Sequence, residues 1–549
     1  MEYMMPMDRK ALISILVAAM LTIASFSVYV FVFDDDDPPE DPSDPVDVIP
    51  FRGKGNFKEV PYETYLQFYH EEFDDVCYYT DDFFRWPSTA YDHSLAVASC
   101  CFARAVFSSS EDWYGGQLFI NGEEFLEAIG FDSITPNEDY LSKAELDTIG
   151  ALIGKKTISC ESENDTTVIA LGLRGDGYGI EWASNMLVGT GEDSKGHHKG
   201  FYDSQTKVMD FLKGYIEDEG ITGDIKIWMT GFSRAAAVSN LTAGIIDTAL
   251  ANGERPFGND VNLSKEDLYV YTMGTPAGVY YDGSPDYPDP HSEDYNNIRS
   301  ILVFGDMVPK LMLEGCNFHR YGIDIIISDM GQEDYDERKA FVVEEYNSIE
   351  TVPDIDSYFT DTFQPYRIDL TNIMDFENLI KIDEDSEFTS FDDTLDFLFD
   401  GLSKEMGGRK GFMNMFQEDF TEIFEILAGE SRSCTIEDFA ITIAPMLMDM
   451  ISGNTFQLIQ GILSGDISEL IEDPIREALT IEGGYANRAS EMADRISDVL
   501  FNILDLIIDD EDLMNAVTTM VMNGEDIAHS HNVLTYHLWL KSTDPNYTS

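Results

Sequence analysis

Positive charge is scarce in this 549-residue chain: 34 Lys and Arg stand against 103 Asp and Glu, for a formal net charge of -69. Nucleic-acid binding needs a basic footprint to neutralise phosphates, and docking on anionic lipid heads needs one too, so neither is a charge-driven function of this chain. Cysteine is sparse as well, with six in all: Cys77, Cys100, Cys101, Cys160, Cys316 and Cys434. None has CxxC or Cys/His zinc spacing, which argues against a metal site, and both disulfides and thiols fit the count. There is no internal repeat. Apolar residues, by contrast, are plentiful at 44%, with 12% aromatic, far above what a solvated acidic chain carries. The acid excess therefore describes the surface, and a large core is available. The length allows roughly two to four domains, or one domain with a big insertion.

The N-terminal end is organised by charge. After residues 1–10, which end in Arg9 and Lys10, Ala11–Phe33 contains no charged residue. At about 1.5 Å per residue, a helix of that length spans the hydrocarbon core. The flanking cations place residues 1–10 inside and the remainder outside, a single-pass anchor with the bulk of the chain beyond the membrane. The alternative is a cleaved signal peptide and secretion, although only Ser25 and Ser27 offer small residues near a cleavage site. Residues 34–50 (DDDDPPEDPSDPVDVIP) are acidic and proline-rich, and read as an extended tether.

Beyond the tether, residues 51–370 read as an α/β core with a helical N-terminal part, from Lys54 to about Gly130. Short apolar runs at Val168–Leu173, Ile225–Thr230, Leu268–Met273 and Ile298–Phe304 alternate with helical stretches such as Gln205–Ile216 and Ala236–Ala251. Strand–helix alternation predicts a mostly parallel sheet flanked by helices. Residues 371–524 read as a large helical insertion with apolar stripes such as Phe420, Ile423, Phe424 and Leu427, either a packed bundle or a lid. Residues 525–549 form a C-terminal segment.

Gly231-Phe232-Ser233-Arg234-Ala235 is a G-x-S-x-A turn between an apolar strand and a helical run. Such a turn projects the Ser233 oxygen from a sharp corner at the positive end of a helix dipole. Gly231 and Ala235 are small where strand and helix backbones nearly touch. An oxyanion needs two backbone donors, and the residue after the nucleophile, Arg234, is one. The loop after Val168–Leu173 offers Asp176 as the second. Asp306 follows the run Ile298–Phe304 and stands where an acid could orient an imidazole. The order Ser, Asp, His leaves His319, His529, His531 and His537 as bases; His319 follows Asp306 too closely for a separate loop, and spacing does not choose between His529 and His531.

These segments resemble the class 3 (fungal-type) lipase family, in a bacterial-type branch. The resemblance rests on "VIALGLRGDGYGIEWASN", "HHKGFYDSQ", "KIWMTGFSRAAAVSNL", "YVYTMGTPAG", "NIRSILVFGDMVP", "FHRYGID" and the late "AHSHNVLTYHLWL". It implies an α/β-hydrolase fold, a Ser233–Asp306–His531 triad with His531 chosen over His529, and an oxyanion hole at Asp176 and Arg234. Phe232 stands where the family usually has His, Ala235 where it has Gly, and about 225 residues separate Asp306 from His531.

The function expected is extracytoplasmic hydrolysis of carboxylic esters through an acyl-enzyme, on a lipid or small ester, without cofactor or metal. A field this negative favours neutral substrates over anionic ones. The alternative is a non-catalytic adhesion or binding module on the same scaffold. An EF-hand at Asp383, Asp385 and Glu387 is excluded, because Phe388 and Thr394 stand where Gly and Glu are needed. The acidic loop Tyr281–Tyr295 leaves room for a looser cation site. Neither oligomeric state nor acyl-chain length is readable.

Overall fold

The computed structural model describes residues 48–66, 71–107, 121–141, 149–159, 165–175, 194–281, 283–284, 287–303, 306, 308–310, 318–328, 334–348 and 531–548. The expected anchor (11–33), most of the tether (34–50) and the helical insertion (371–524) lie outside the described residues. Among the described residues, no helix is long and apolar enough to cross a membrane.

In chain order the strands are β1 (Lys58–Leu66), β2 (Glu71–Tyr79), β3 (Asp132–Pro136), β4 (Gly150–Ser159), β5 (Asp165–Arg174), β6 (Gly223–Phe232), β7 (Val261–Asn262), β8 (Leu268–Met273), β9 (Val279–Tyr280), β10 (Ile298–Leu302), β11 (Phe318–His319) and β12 (Ile323–Ile326). The four apolar runs read as strands are β5, β6, β8 and β10. They form the centre of an eight-stranded sheet of order β12-β10-β8-β6-β5-β4-β3, with β7 beside β6. From β5 to β12 the pairings are parallel; β4 and β3 add an antiparallel edge. This mostly parallel sheet with helices on its faces fits an α/β-hydrolase fold.

The two faces of the sheet are sorted by the alternation of strand side chains. Ile225, Ile227 and Met229 of β6 face a core shared with Val208 and Leu212 of the helix Lys199–Asp218 and with Val238 and Leu241 of the helix Arg234–Ala251. Trp228 and Thr230 point the other way, onto the helix His93–Phe107. Trp228 Nε1 donates to Ser99 Oγ at 2.8 Å and its ring lies 5.2 Å from Phe102. A purely parallel sheet is covered on both faces, which is why these strands read as continuous apolar runs.

The N-terminal part corrects one expectation. It is not mostly helical: β1 and β2 pair antiparallel from Lys58↔Tyr79 to Leu66↔Glu71 before the helix His93–Phe107 begins. In β1, Val60, Tyr62 and Thr64 are buried while Glu59, Pro61 and Glu63 are exposed. That is a period of two, carried by β-branched and aromatic residues, the pattern of a half-buried strand.

Candidate active site

Parallel register brings the ends of three strands to one edge. Phe232 of β6 lies opposite Met273 of β8, and Met273 opposite Ile301 of β10. The chain leaves those strands at Ser233, at Gly274 and at the turn bearing Asp306, so residues far apart in sequence meet where parallel sheets gather their ligands.

Ser233 is the sharp corner the motif predicts. Its φ and ψ are 56° and -127°, and its amide donates to Met273 O at 3.0 Å. A Cβ on Gly231 would stand 2.7 Å from the carbonyl carbon and oxygen of Ala235, so only glycine allows this closeness. Ala235 itself is fully buried. Arg234 opens the following helix, where amides point out of the helix end rather than into its hydrogen-bond ladder. Its side chain turns aside: Nη2 donates to Ser204 Oγ at 2.6 Å and the guanidinium lies over Phe201.

His531 joins the other two members. Its Nε2 lies 2.8 Å from Ser233 Oγ and its Nδ1 2.7 Å from Asp306 Oδ2. A carboxylate only accepts, so Nδ1 carries the proton and Nε2 is left to accept from the serine hydroxyl. The Asp306 side chain is fully buried and that of His531 is 11% exposed, so the dyad is shielded while the imidazole keeps an open edge. Asp306 Oδ1 accepts the Val308 amide at 2.9 Å. Asn532 caps the helix Val533–Lys541 through Leu534 N at 2.9 Å, which holds His531 just ahead of the cap of a buried helix.

Three contributors were not legible as site residues. Tyr536 Oη donates to Asp306 Oδ2 at 2.5 Å, the same oxygen that holds His531. Burial, then the adjacent Asp306 charge, pushes its phenol well above the ordinary tyrosine range, so it remains a donor. Its one signal was the spacing His531-x4-Tyr536. Gly274, at φ 59°, lies beneath the triad, and a Cβ there would approach Tyr536 Oη, Asp306 Oδ2 and His531 Cε1 at 3.0, 3.2 and 3.3 Å. Phe232 stacks on the His531 ring at 4.8 Å and 28°, a flat apolar support for the imidazole.

Asp176 lies outside the described residues, as does His529. Strand β5 ends at Arg174 beside β6, with Gly172 opposite Thr230, so the strand ends at the same edge as Ser233. Other histidines have structural partners. His537 is buried against Cys101 Sγ at 3.2 Å, and His197 bridges Ser194 O and Tyr321 Oη. His319 pairs with His291. Cys77, Cys100 and Cys101 are buried free thiols, whereas Cys160, Cys316 and Cys434 lie outside the described residues. A cavity of about 950 Å³ lined by Arg52, Trp86, Ile225 and Phe257 sits at the opposite ends of the strands, away from Ser233, Asp306 and His531.

No protein-family model matches the chain, and no curated protein matches it. Solved structures similar to it include a fungal lipase–inhibitor complex described as a model for interfacial activation, at 19% identity over 43% of this chain and 78% of that one, TM-score 0.28. Lipase II from Rhizopus niveus is 14% identical over 42% and 78%, TM-score 0.28. A further fungal lipase is 15% identical over 43% and 77%, TM-score 0.26. Overlap that loose adds no weight to the geometry above.

Proposed function

We propose that this chain is a serine hydrolase of carboxylic esters, lipase-like, acting on neutral esters or lipids. The observation that carries the reading is the unbroken relay from Ser233 Oγ through His531 to Asp306, with links of 2.8 and 2.7 Å. Ser233 Oγ attacks the ester carbonyl while His531 Nε2 takes its proton. The same proton passes to the departing alkoxide, leaving an acyl-serine and an alcohol. A water then repeats the sequence, releasing the acid and restoring Ser233. Asp306, fixed by Tyr536 and Val308, holds the imidazole tautomer throughout. The Arg234 amide, with Asp176 as its partner, stabilises the developing oxyanion by about 3 kcal/mol per donor.

The net charge of -69 supports neutral substrates, since the field repels anionic ones. The uncharged Ala11–Phe33 stretch and acidic tether support a catalytic part held outside the cell. One experiment tests these together: a membrane-impermeant fluorophosphonate applied to intact cells, with ester turnover measured on the purified chain. Wild type should be labelled and should hydrolyse neutral nitrophenyl esters faster than anionic phospholipid at low salt. Ser233→Ala should lose the label and about 10⁵-fold or more in turnover. Undiminished turnover in Ser233→Ala removes the assignment, and a folded wild type that never labels after lysis leaves a binding scaffold instead. Labelling only after lysis removes the outside location, and a preference for anionic phospholipid removes the substrate class.

A further inference from the structure

The loop Tyr281–Tyr295 carries five carboxylates and no Lys or Arg, and His291 in it faces His319 on β11. His291 Nε2 and His319 Nδ1 are 3.2 Å apart, with ring planes at 84°. His291 is exposed and His319 half-buried, so the pair is open to solvent. The hydrolytic relay does not use either ring.

Both rings stand on pinned backbone. His319 pairs with Val279 of β9, and its carbonyl accepts from Gly278 N at 3.0 Å. The His291 amide donates to Asp289 Oδ1 at 3.0 Å, and Pro290 O accepts from Gly322 N at 2.9 Å. Zinc–imidazole bonds of about 2.0–2.1 Å at tetrahedral angles hold two ligand nitrogens roughly 3.3–3.4 Å apart. The observed spacing of 3.2 Å is within about 0.2 Å of that separation, so turning the rings until both nitrogens point at one centre lets a single ion replace the proton between them.

We propose that His291 and His319 form a binding site for a borderline transition-metal dication such as Zn²⁺ or Cu²⁺. Imidazole suits these ions, whereas Mg²⁺ and Ca²⁺ prefer oxygen donors. Among the described residues no group of three or more His, Cys, Asp or Glu side chains is placed to hold a metal ion, so the site proposed is one of two histidines. The surrounding acidic field concentrates dications and favours occupancy. The ion cross-links two segments 28 residues apart in sequence. The residue after His319 connects this link to the catalytic edge, since Arg320 Nη1 donates to Pro309 O at 3.0 Å and to Thr275 O at 3.3 Å.

The test is zinc titration of the full chain against a chromogenic chelator, in moderate salt with excess Mg²⁺ to saturate carboxylates. Wild type should hold one zinc per chain at this site, weakened about tenfold or more in His291→Ala and in His319→Ala. Copper-loaded wild type should show coupling to two nitrogens in its electron paramagnetic resonance spectrum. Zinc held as tightly by the variants as by wild type means carboxylate binding only and overturns the proposal, as does wild type that binds none. Because His291 is exposed, His291→Ala decides the matter even where His319→Ala fails to fold. The binding readout does not depend on ester turnover, so it stands or falls separately from the hydrolase reading.

Discussion

Ser233 sits in a backbone region that costs a non-glycine residue about 1–3 kcal/mol, and the tight approach of Gly231 to Ala235 holds it there. Strain at Ser233 was foreseeable from the spacing of small residues around it. Tyr536 was not, because a tyrosine in an apolar run reads as core until the fold brings its hydroxyl to Asp306. His197 shows the same limit in another form. It is buried between Ser194 O and Tyr321 Oη, and burial lowers its pKa to about 4. In the unfolded chain it takes up a proton near pH 6.5. Stability from this group is thus fully present above about pH 6.5 and is lost as pH falls towards about 4, by about 3 kcal/mol in all. Urea midpoints followed from neutral pH to about pH 4 should fall along this limb in wild type and less in His197→Gln; an identical slope in both removes His197 as the cause.

Among the elements, β5, β6, β8 and β10 were legible because strands covered on both faces are apolar throughout. The β1–β2 hairpin was misread because aromatic residues in an acidic stretch fit helix and strand templates alike. Only the exposed Glu59 and Glu63 flanking buried Val60 and Tyr62 separate the two. The elbow is sensitive to a single methyl. In Gly231→Ala the new carbon meets the Ala235 backbone at 2.7 Å, and a backbone contact cannot rotate away as a side chain can. The variant should be destabilised by about 1–3 kcal/mol and should label poorly with fluorophosphonate while its circular dichroism stays native at low temperature. Wild-type labelling and melting would show that the elbow has slack that the contact distance denies.

For the molecule as a whole, one buried acid ties β2 to the helices His93–Phe107 and Val533–Lys541. Asp75 of β2 accepts from Arg104 Nη1 at 2.5 Å and Lys541 Nζ at 2.7 Å, and His537 Nδ1 lies 3.3 Å away. Burial alone would raise its pKa, but Arg104, His537 and Lys541 outweigh it and hold the carboxyl well below the ordinary range. His537 and Lys541 belong to the helix that begins two residues after His531, so this buried cluster anchors the helix that carries His531 at its start. Asp75→Asn leaves buried cations without their counter-charge and should cost about 3–5 kcal/mol in urea unfolding, with a fall in turnover. A loss under about 1 kcal/mol would mean that the apolar contacts of the helix hold it unaided.

The residues alone specify the chemistry-bearing turn, the strand order of reading, the acid-rich exterior and the small set from which the base must come. Each of these is local: it depends on neighbours within a few positions, on period, or on total charge. The contacts of His531 with Ser233 and Asp306, the support from Tyr536 and Gly274, the burial of Asp75 and the pairing of His291 with His319 all join segments distant in the chain. Parallel register and helix packing create those contacts, so no window of sequence contains them. The relay of 2.8 and 2.7 Å exists because three strand ends and one capped helix reach the same edge of the sheet.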